Sequence, residues 1–226
     1  MLVREEFTRE RIDELIREAQ RHGPFHALTH EEREENRKEF LSHIPSGEGL
    51  WVFGYGSLLW NPAFHYSECQ PARLYGFRRR FCIRSAIGRG SPEKPGLMLA
   101  LDRGGSCNGR AFYITPETLE SETEILWMRE MISGSYNVRF GSIQLPEKTV
   151  DGLTFVMNRT SPRYIADMDL EATARLIASG EGHLGTCREY LDNTIEHLEE
   201  MDVRDQYLHL LQRTIQKLDE TESRDE

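Results

Sequence analysis

The chain has 226 residues, of which 38% are hydrophobic and 29% charged, with a formal net charge of −10. That length fits one generous domain or a domain with an appendage, and the acidic balance opposes a polyanionic partner such as nucleic acid. No stretch approaches the roughly 18 apolar residues that span a bilayer, which argues against a membrane protein. The N-terminal MLVREEFTRERIDELIREAQR carries charges where a signal peptide needs its apolar region. Cys69, Cys82, Cys107 and Cys187 are scattered without a C-x-x-C spacing, as reduced thiols in a cytoplasm are.

In chain order, Phe7, Ile12, Leu15, Ile16 and Ala19 recur at helical spacing until His22-Gly23-Pro24 ends the run. A second helix is predicted from Thr29, an N-cap with Glu32 three residues on. Pro45-Ser46-Gly47 reads as a linker. His22, His26 and His30 are spaced by four, but Gly23-Pro24 interrupts any shared helix face, so they are read as structural rather than metal-binding. Short strands are then predicted at 50–55, 72–83, 97–102, 108–114, 137–145 and 152–158. Arg103-Gly104-Gly105 and Val150-Asp151-Gly152 supply turn chemistry for hairpins. Pro116, at the first helical position after Thr115, opens a helix to about Ser133, and further helices follow near 169–179, 186–200 and 204–219. Central strands with helices at both ends predict an α+β fold. The segments expected are an N-terminal helical extension (1–48), a main domain (49–218) and a frayed tail (219–226).

Three places carry candidate chemistry. In Gly54-Tyr55-Gly56-Ser57-Leu58-Leu59-Trp60 the third glycine of a dinucleotide fingerprint is replaced by Leu59, and Asn61-Pro62 stands where the helix should begin. Leu58 after Ser57 excludes a G-x-S-x-G nucleophile elbow. A tight turn and an anion-binding nest of main-chain N–H groups both remain open. Arg78-Arg79-Arg80 with Arg84 and Arg89 forms a local basic cluster, suited to an anionic small molecule or simply to the polar face of a strand. Glu130 is flanked at helical spacing by Leu126, Trp127, Ser133 and Gly134, an apolar or bare face that suits a proton-exchanging carboxylate. Glu120, Glu122 and Glu124 have polar neighbours and are expected on a solvated face.

Val52-Phe53-Gly54-Tyr55-Gly56-Ser57-Leu58, Arg89-Gly90-Ser91-Pro92-Glu93-Lys94-Pro95-Gly96, Arg129-Glu130 with Gly134 and Tyr136, and Glu189-Tyr190-Leu191 occur in this order. Through them the chain resembles the ChaC-type γ-glutamylcyclotransferases from about residue 50 to 212. Longer bacterial members also carry a leading helical segment like residues 1–45. Cys187 departs from the pattern, because members more often have Asn there.

The resemblance implies a small barrel-like mixed sheet with surrounding helices. It also implies a cytoplasmic enzyme that uses neither metal nor organic cofactor and takes glutathione as its small-molecule partner, giving 5-oxoproline and cysteinylglycine. It assigns Glu130 as the catalytic proton shuttle and Val52, Phe53, Gly54, Tyr55, Gly56 and Ser57 as the segment that holds the γ-glutamyl end. The two glycines are expected to let substrate approach the backbone. Tyr136 is expected to orient Glu130 or the substrate. The alternatives are a cyclotransferase for other γ-glutamyl peptides or amines, a silent γ-glutamyl-binding module, and a nucleic-acid binder built on the arginine cluster.

Overall fold

The computed structural model describes residues 3–21 and 25–225. His22, Gly23 and Pro24, expected to end the first helix, lie outside the described residues, as does the histidine trio's first member. Helix α1 spans Arg9–Arg21 and buries Ile12 and Ala19. Helix α2 spans His30–Leu41 and opens on the expected capping box: Thr29 Oγ1 accepts from the Glu32 N–H at 3.1 Å, and Glu32 Oε2 accepts from the Thr29 N–H at 2.7 Å. Then follow β1 (Leu50–Gly54), β2 (Glu68–Ser85), β3 (Gly96–Ile114), α3 (Leu119–Glu130), β4 (Tyr136–Gln144) and β5 (Thr149–Met157). The remainder is α4 (Leu170–Ser179), the short pair β6 (Glu181–Gly182) and β7 (Gly185–Thr186), α5 (Cys187–Glu199) and α6 (Gln206–Asp225). Helix α6 thus runs past the expected end at 219.

The five long strands close a barrel in the order β1-β3-β2-β4-β5. It is a mixed barrel, as expected, because β1 runs antiparallel to β3 but parallel to β5. The chain forms two compact units, one of residues 1–80 and 100–161, the other of residues 81–99 and 162–226. In the first, Leu50, Val52, Phe112, Ile114, Leu153 and Phe155 of the barrel pack with Leu58, Leu126, Trp127 and Phe40 in one core. Helix α2 is pinned to α3 by polar bonds as well. Asn36 Oδ1 accepts from Trp127 Nε1 at 2.9 Å, and Arg37 donates to the Glu120 carboxylate and to Thr123 Oγ1. In the second unit Phe81 meets Tyr190 edge to face, and Arg89 donates to the Thr186 carbonyl and to Glu189 at the start of α5.

Both expected glycine hairpins fall elsewhere. Gly104 and Gly105 take positive φ (96° and 75°) inside one 19-residue strand, β3, which runs through them without reversing. The β4–β5 turn lies at Pro146-Glu147, closed by the Leu145 N–H on the Lys148 carbonyl at 2.8 Å. Gly152 sits inside β5, where a Cβ would stand 2.6 Å from the Trp51 carbonyl oxygen. Its lack of a side chain serves close strand approach, not a turn. Pro116 opens a 3-10 turn, Pro116–Thr118, ahead of α3. The helix also stops three residues early. Met131 already has φ −102° and ψ 20°, and Gly134 is left-handed at φ 61°, so Ser133 and Gly134 are not on the helix face of Glu130.

Candidate active site

Residues 52–57 begin as a strand and end as a turn. Val52 pairs with Phe112 on one side and Leu153 on the other, and both Val52 and Phe53 are wholly buried. Their side chains belong to the core. The pairing of β1 with β5 is confined to Trp51 and Val52, while its pairing with β3 continues to Gly54 opposite Arg110, so the chain leaves the ladder at Tyr55–Ser57. A 3-10 turn, Ser57–Leu59, follows.

At Gly54 a Cβ would lie 2.8 Å from Phe112 Cε2 and 3.0 Å from Leu58 Cβ, so the missing side chain lets this end of β1 pack against the barrel's own side chains.

Arginines hold the carbonyl oxygens of this loop, and sequence reading gave none of them that part. Arg79, 5% exposed, donates from Nε to the Tyr55 carbonyl at 2.7 Å and from Nη2 to the Asn108 carbonyl at 2.6 Å. Arg110 donates to the Leu59 carbonyl at 3.1 Å. Arg129 donates to Ser57 Oγ at 2.7 Å and to the Asn61 carbonyl. In a trans peptide the C=O of one residue and the N–H of the next point in opposite directions. Anchoring the Tyr55 carbonyl on Arg79 therefore aims the Gly56 N–H the other way. The sequence signal for this role was the RRR run, two members of which are spent internally: Arg79 on this loop and Arg80 on buried Asp102 at 3.1 Å, while Arg78 is exposed.

Glu130 is the last residue of α3, with a side chain 15% exposed. Its Oε1 accepts from Arg129 Nε at 2.8 Å, and its Oε2 has no hydrogen-bond partner among the described residues. Arg129, which the sequence placed beside it without a role, thus holds one oxygen of Glu130. Tyr136 opens β4 opposite Met157, its ring 6.4 Å from that of Phe155. The segment between is fixed by the Leu28 N–H on the Ile132 carbonyl at 2.9 Å and by Asn158 Nδ2 on the Gly134 carbonyl at 3.0 Å.

Glu122, expected on a solvated face, is 2% exposed and fully bonded. Arg4 grips it with two bonds of 2.5 and 2.9 Å, and the His65 N–H and Ser121 Oγ donate to it at 2.7 and 3.1 Å. Burial works to raise its carboxyl, but these donors win and hold it below the usual carboxylate range.

In the second unit, Cys187 is a buried thiol whose Sγ donates to the Arg89 carbonyl at 2.8 Å. Burial pushes its pKa up to about 11, so it acts as a neutral donor rather than a nucleophile. A Cβ at Gly96 would fall 2.1 Å from that sulfur. The Arg89–Gly96 stretch is therefore packed around the residue that departs from the motif.

Known proteins match this chain in sequence and in fold. The family model described as ChaC-like protein matches residues 50–218. The chain is 38% identical over 189 residues to the glutathione-specific γ-glutamylcyclotransferase of Escherichia coli K12, covering 83% of this chain and 82% of that one. It is 30% identical over 192 residues to the protein of the same name from Schizosaccharomyces pombe, covering 74% and 91%. A yeast crystal structure titled as a γ-glutamyl cyclotransferase specific to glutathione superposes with a TM-score of 0.69 at 24% identity, over 75% of this chain and 96% of that chain, which establishes the shared fold. On the family match and the extent of these identities, the chain belongs to the ChaC-like family.

Proposed function

We propose that this protein is a γ-glutamylcyclotransferase that degrades glutathione in the cytoplasm, without a metal or organic cofactor. The names of the Escherichia coli and Schizosaccharomyces pombe relatives support the substrate. Four free cysteines fit a reducing compartment, and no helix among the described residues is long and apolar enough to cross a membrane.

The observation that carries the reading is a carboxylate, Glu130, with one oxygen held by Arg129 and the other open, while the same arginine holds Ser57 in the glycine loop. In the reaction the α-amine of the γ-glutamyl group attacks its own γ-carbonyl. A C–N bond closes the five-membered lactam, the γ-amide bond breaks, and no water is consumed. Two protons leave the α-nitrogen and two reach the departing cysteinyl nitrogen, and Glu130 relays them through Oε2. Because the nucleophile is tethered, orientation alone supplies an effective molarity of about 10⁵–10⁸ M, or roughly 7–11 kcal/mol of barrier. Main-chain N–H groups of Gly54–Ser57 take the α-carboxylate or the oxyanion that develops at the γ-carbonyl. Tyr136 offers its hydroxyl to the substrate.

The test is incubation of purified protein with glutathione and mass spectrometry of the small products. Equal amounts of 5-oxoproline and cysteinylglycine are expected, with N-acetylglutathione inert because its nitrogen is no longer nucleophilic. Glutamate as the main product, or cleavage of N-acetylglutathione, would make the protein an amidase instead. Parallel incubation with other γ-glutamyl peptides and amines measures how far glutathione is preferred.

A further inference from the structure

We propose that Arg129 is a positioning residue that sets the proton-relaying oxygen of Glu130 in register with the glycine loop; this rests on the cyclotransferase reading above. Adjacent residues on a helix point about 100° apart and do not ordinarily pair. Here an i,i+1 pair forms, at 2.8 Å, at the place where α3 ends. The pairing also answers an electrostatic problem. A carboxylate in the last turn of a helix faces the negative end of the helix dipole, and a guanidinium beside it offsets that repulsion.

Geometry gives the pair its consequence. The guanidinium is planar and its donors are fixed relative to one another. With Nε on Glu130 Oε1, one terminal nitrogen on Ser57 Oγ and the other on the Asn61 carbonyl, carboxylate and loop cannot shift independently. Its side chain is only 10% exposed, so water competes weakly for these bonds. Oε1 is committed to the arginine, which leaves Oε2 to face the γ-glutamyl nitrogen. A lysine has no planar fork and cannot reproduce three bonds in fixed directions.

The experiment compares Arg129→Lys and Arg129→Ala with the parent enzyme on glutathione, with circular dichroism to check folding. A misplacement of about 1 Å costs on the order of 10²-fold in turnover, so kcat is expected to fall about 10²-fold in both variants while KM changes little. Guanidinium chloride at non-denaturing concentration should restore part of the turnover of Arg129→Ala, and methylammonium at equal ionic strength should not, because only the former carries the planar fork. A folded Arg129→Ala or Arg129→Lys enzyme with near-parental kcat overturns the inference. So does equal rescue by both cations, or a loss carried wholly by KM. If Arg129→Ala does not fold, the kcat and KM of Arg129→Lys decide the question. A parent enzyme that forms no 5-oxoproline defeats the underlying reading instead, and the two failures are told apart by that first control.

Discussion

Helix α3 carries a buried or half-buried glutamate toward each end, and the two are treated in opposite ways. Glu122, in the first turn, has both carboxylate oxygens filled by Arg4, Ser121 and the His65 N–H. Glu130, the last residue, has one oxygen filled and one open. A buried charge that is fully hydrogen-bonded ties structure together and has nothing left to exchange. One with an open oxygen at a partly exposed edge can take a proton and return it. The partners differ in reach as well. Arg4 comes from 118 residues away and also holds the carbonyl of Ala63, a non-glycine residue at φ 62°. Arg129 is a sequence neighbour that holds Ser57 and Asn61. The chain between β1 and β2 is thus anchored near one end by the structural carboxylate and near the other by the partner of the open one.

The sharpest way to break this comparison is Glu130→Gln. The amide keeps size and polarity but cannot take a proton, so turnover is expected to fall by about 10²–10⁴-fold or more with folding unaffected. A thermal melt matching the parent, alongside product formation measured with glutathione, checks it. Most of the activity surviving would remove Glu130 from the proton relay.

Arg4→Ala probes the opposite end. It leaves Glu122 buried at 3% side-chain exposure without its ion-pair partner, and breaking such a pair typically costs about 3–5 kcal/mol. Arg4 is itself 26% exposed, so the low end is expected in chemical denaturation, with the kcat of the surviving folded fraction near the parent's. The pH dependence sharpens the point. Because the Glu122 carboxyl lies below its unfolded value, its contribution is fully present above the unfolded glutamate pKa of about 4.3 and is lost as pH falls through the lower, folded value. The parent should lose stability across that acidic window, and Arg4→Ala should show a shallower slope there. Equal slopes would mean that Arg4 is not what lowers the carboxyl.

A smaller effect is expected at the loop between them. Gly54→Ala forces a methyl group to within 2.8 Å of Phe112 and 3.0 Å of Leu58, an overpacking that costs about 1–3 kcal/mol. If Gly54 serves packing, the melting temperature drops while KM for glutathione in the folded protein stays near the parent's. A large rise in KM without loss of stability would return Gly54 to a direct substrate role.

What the sequence disclosed follows the range of the interactions. The Thr29–Glu32 capping box is written within four residues and was legible, as was the ordered set of motifs from Val52 to Leu191. The α+β class followed from strand and helix periodicity alone. The burial of Glu122 was not legible, because its partner Arg4 is brought in only by the fold, and local polar neighbours look the same on a solvated face. The glycines misled for a related reason. Gly104-Gly105 and Gly152 look like turn residues in a short window, yet the pair lies inside one long strand and the other residue admits a neighbouring backbone. The stop of α3 at Glu130 was also hidden, since Met131, Ile132 and Ser133 continue the helical pattern and only Gly134 marks a left-handed position.

The mildest test concerns how α3 is held from outside. Helix α2 delivers Asn36 to Trp127 and Arg37 to Glu120 and Thr123, so two of these three contacts fall between the two glutamates and one just before Glu122. Its first turn depends on Thr29, whose hydroxyl accepts from the Glu32 N–H. Thr29→Ala removes that cap and should cost about 1 kcal/mol of stability, read as a lower denaturation midpoint with an unchanged slope. Turnover should not change, because Glu130 is fixed by Arg129 and by the bonds that follow it, not by α2's first turn. A fall in kcat as large as that of Arg129→Lys would show that the open carboxylate is positioned through α2, and the division between the two ends of α3 would have to be redrawn.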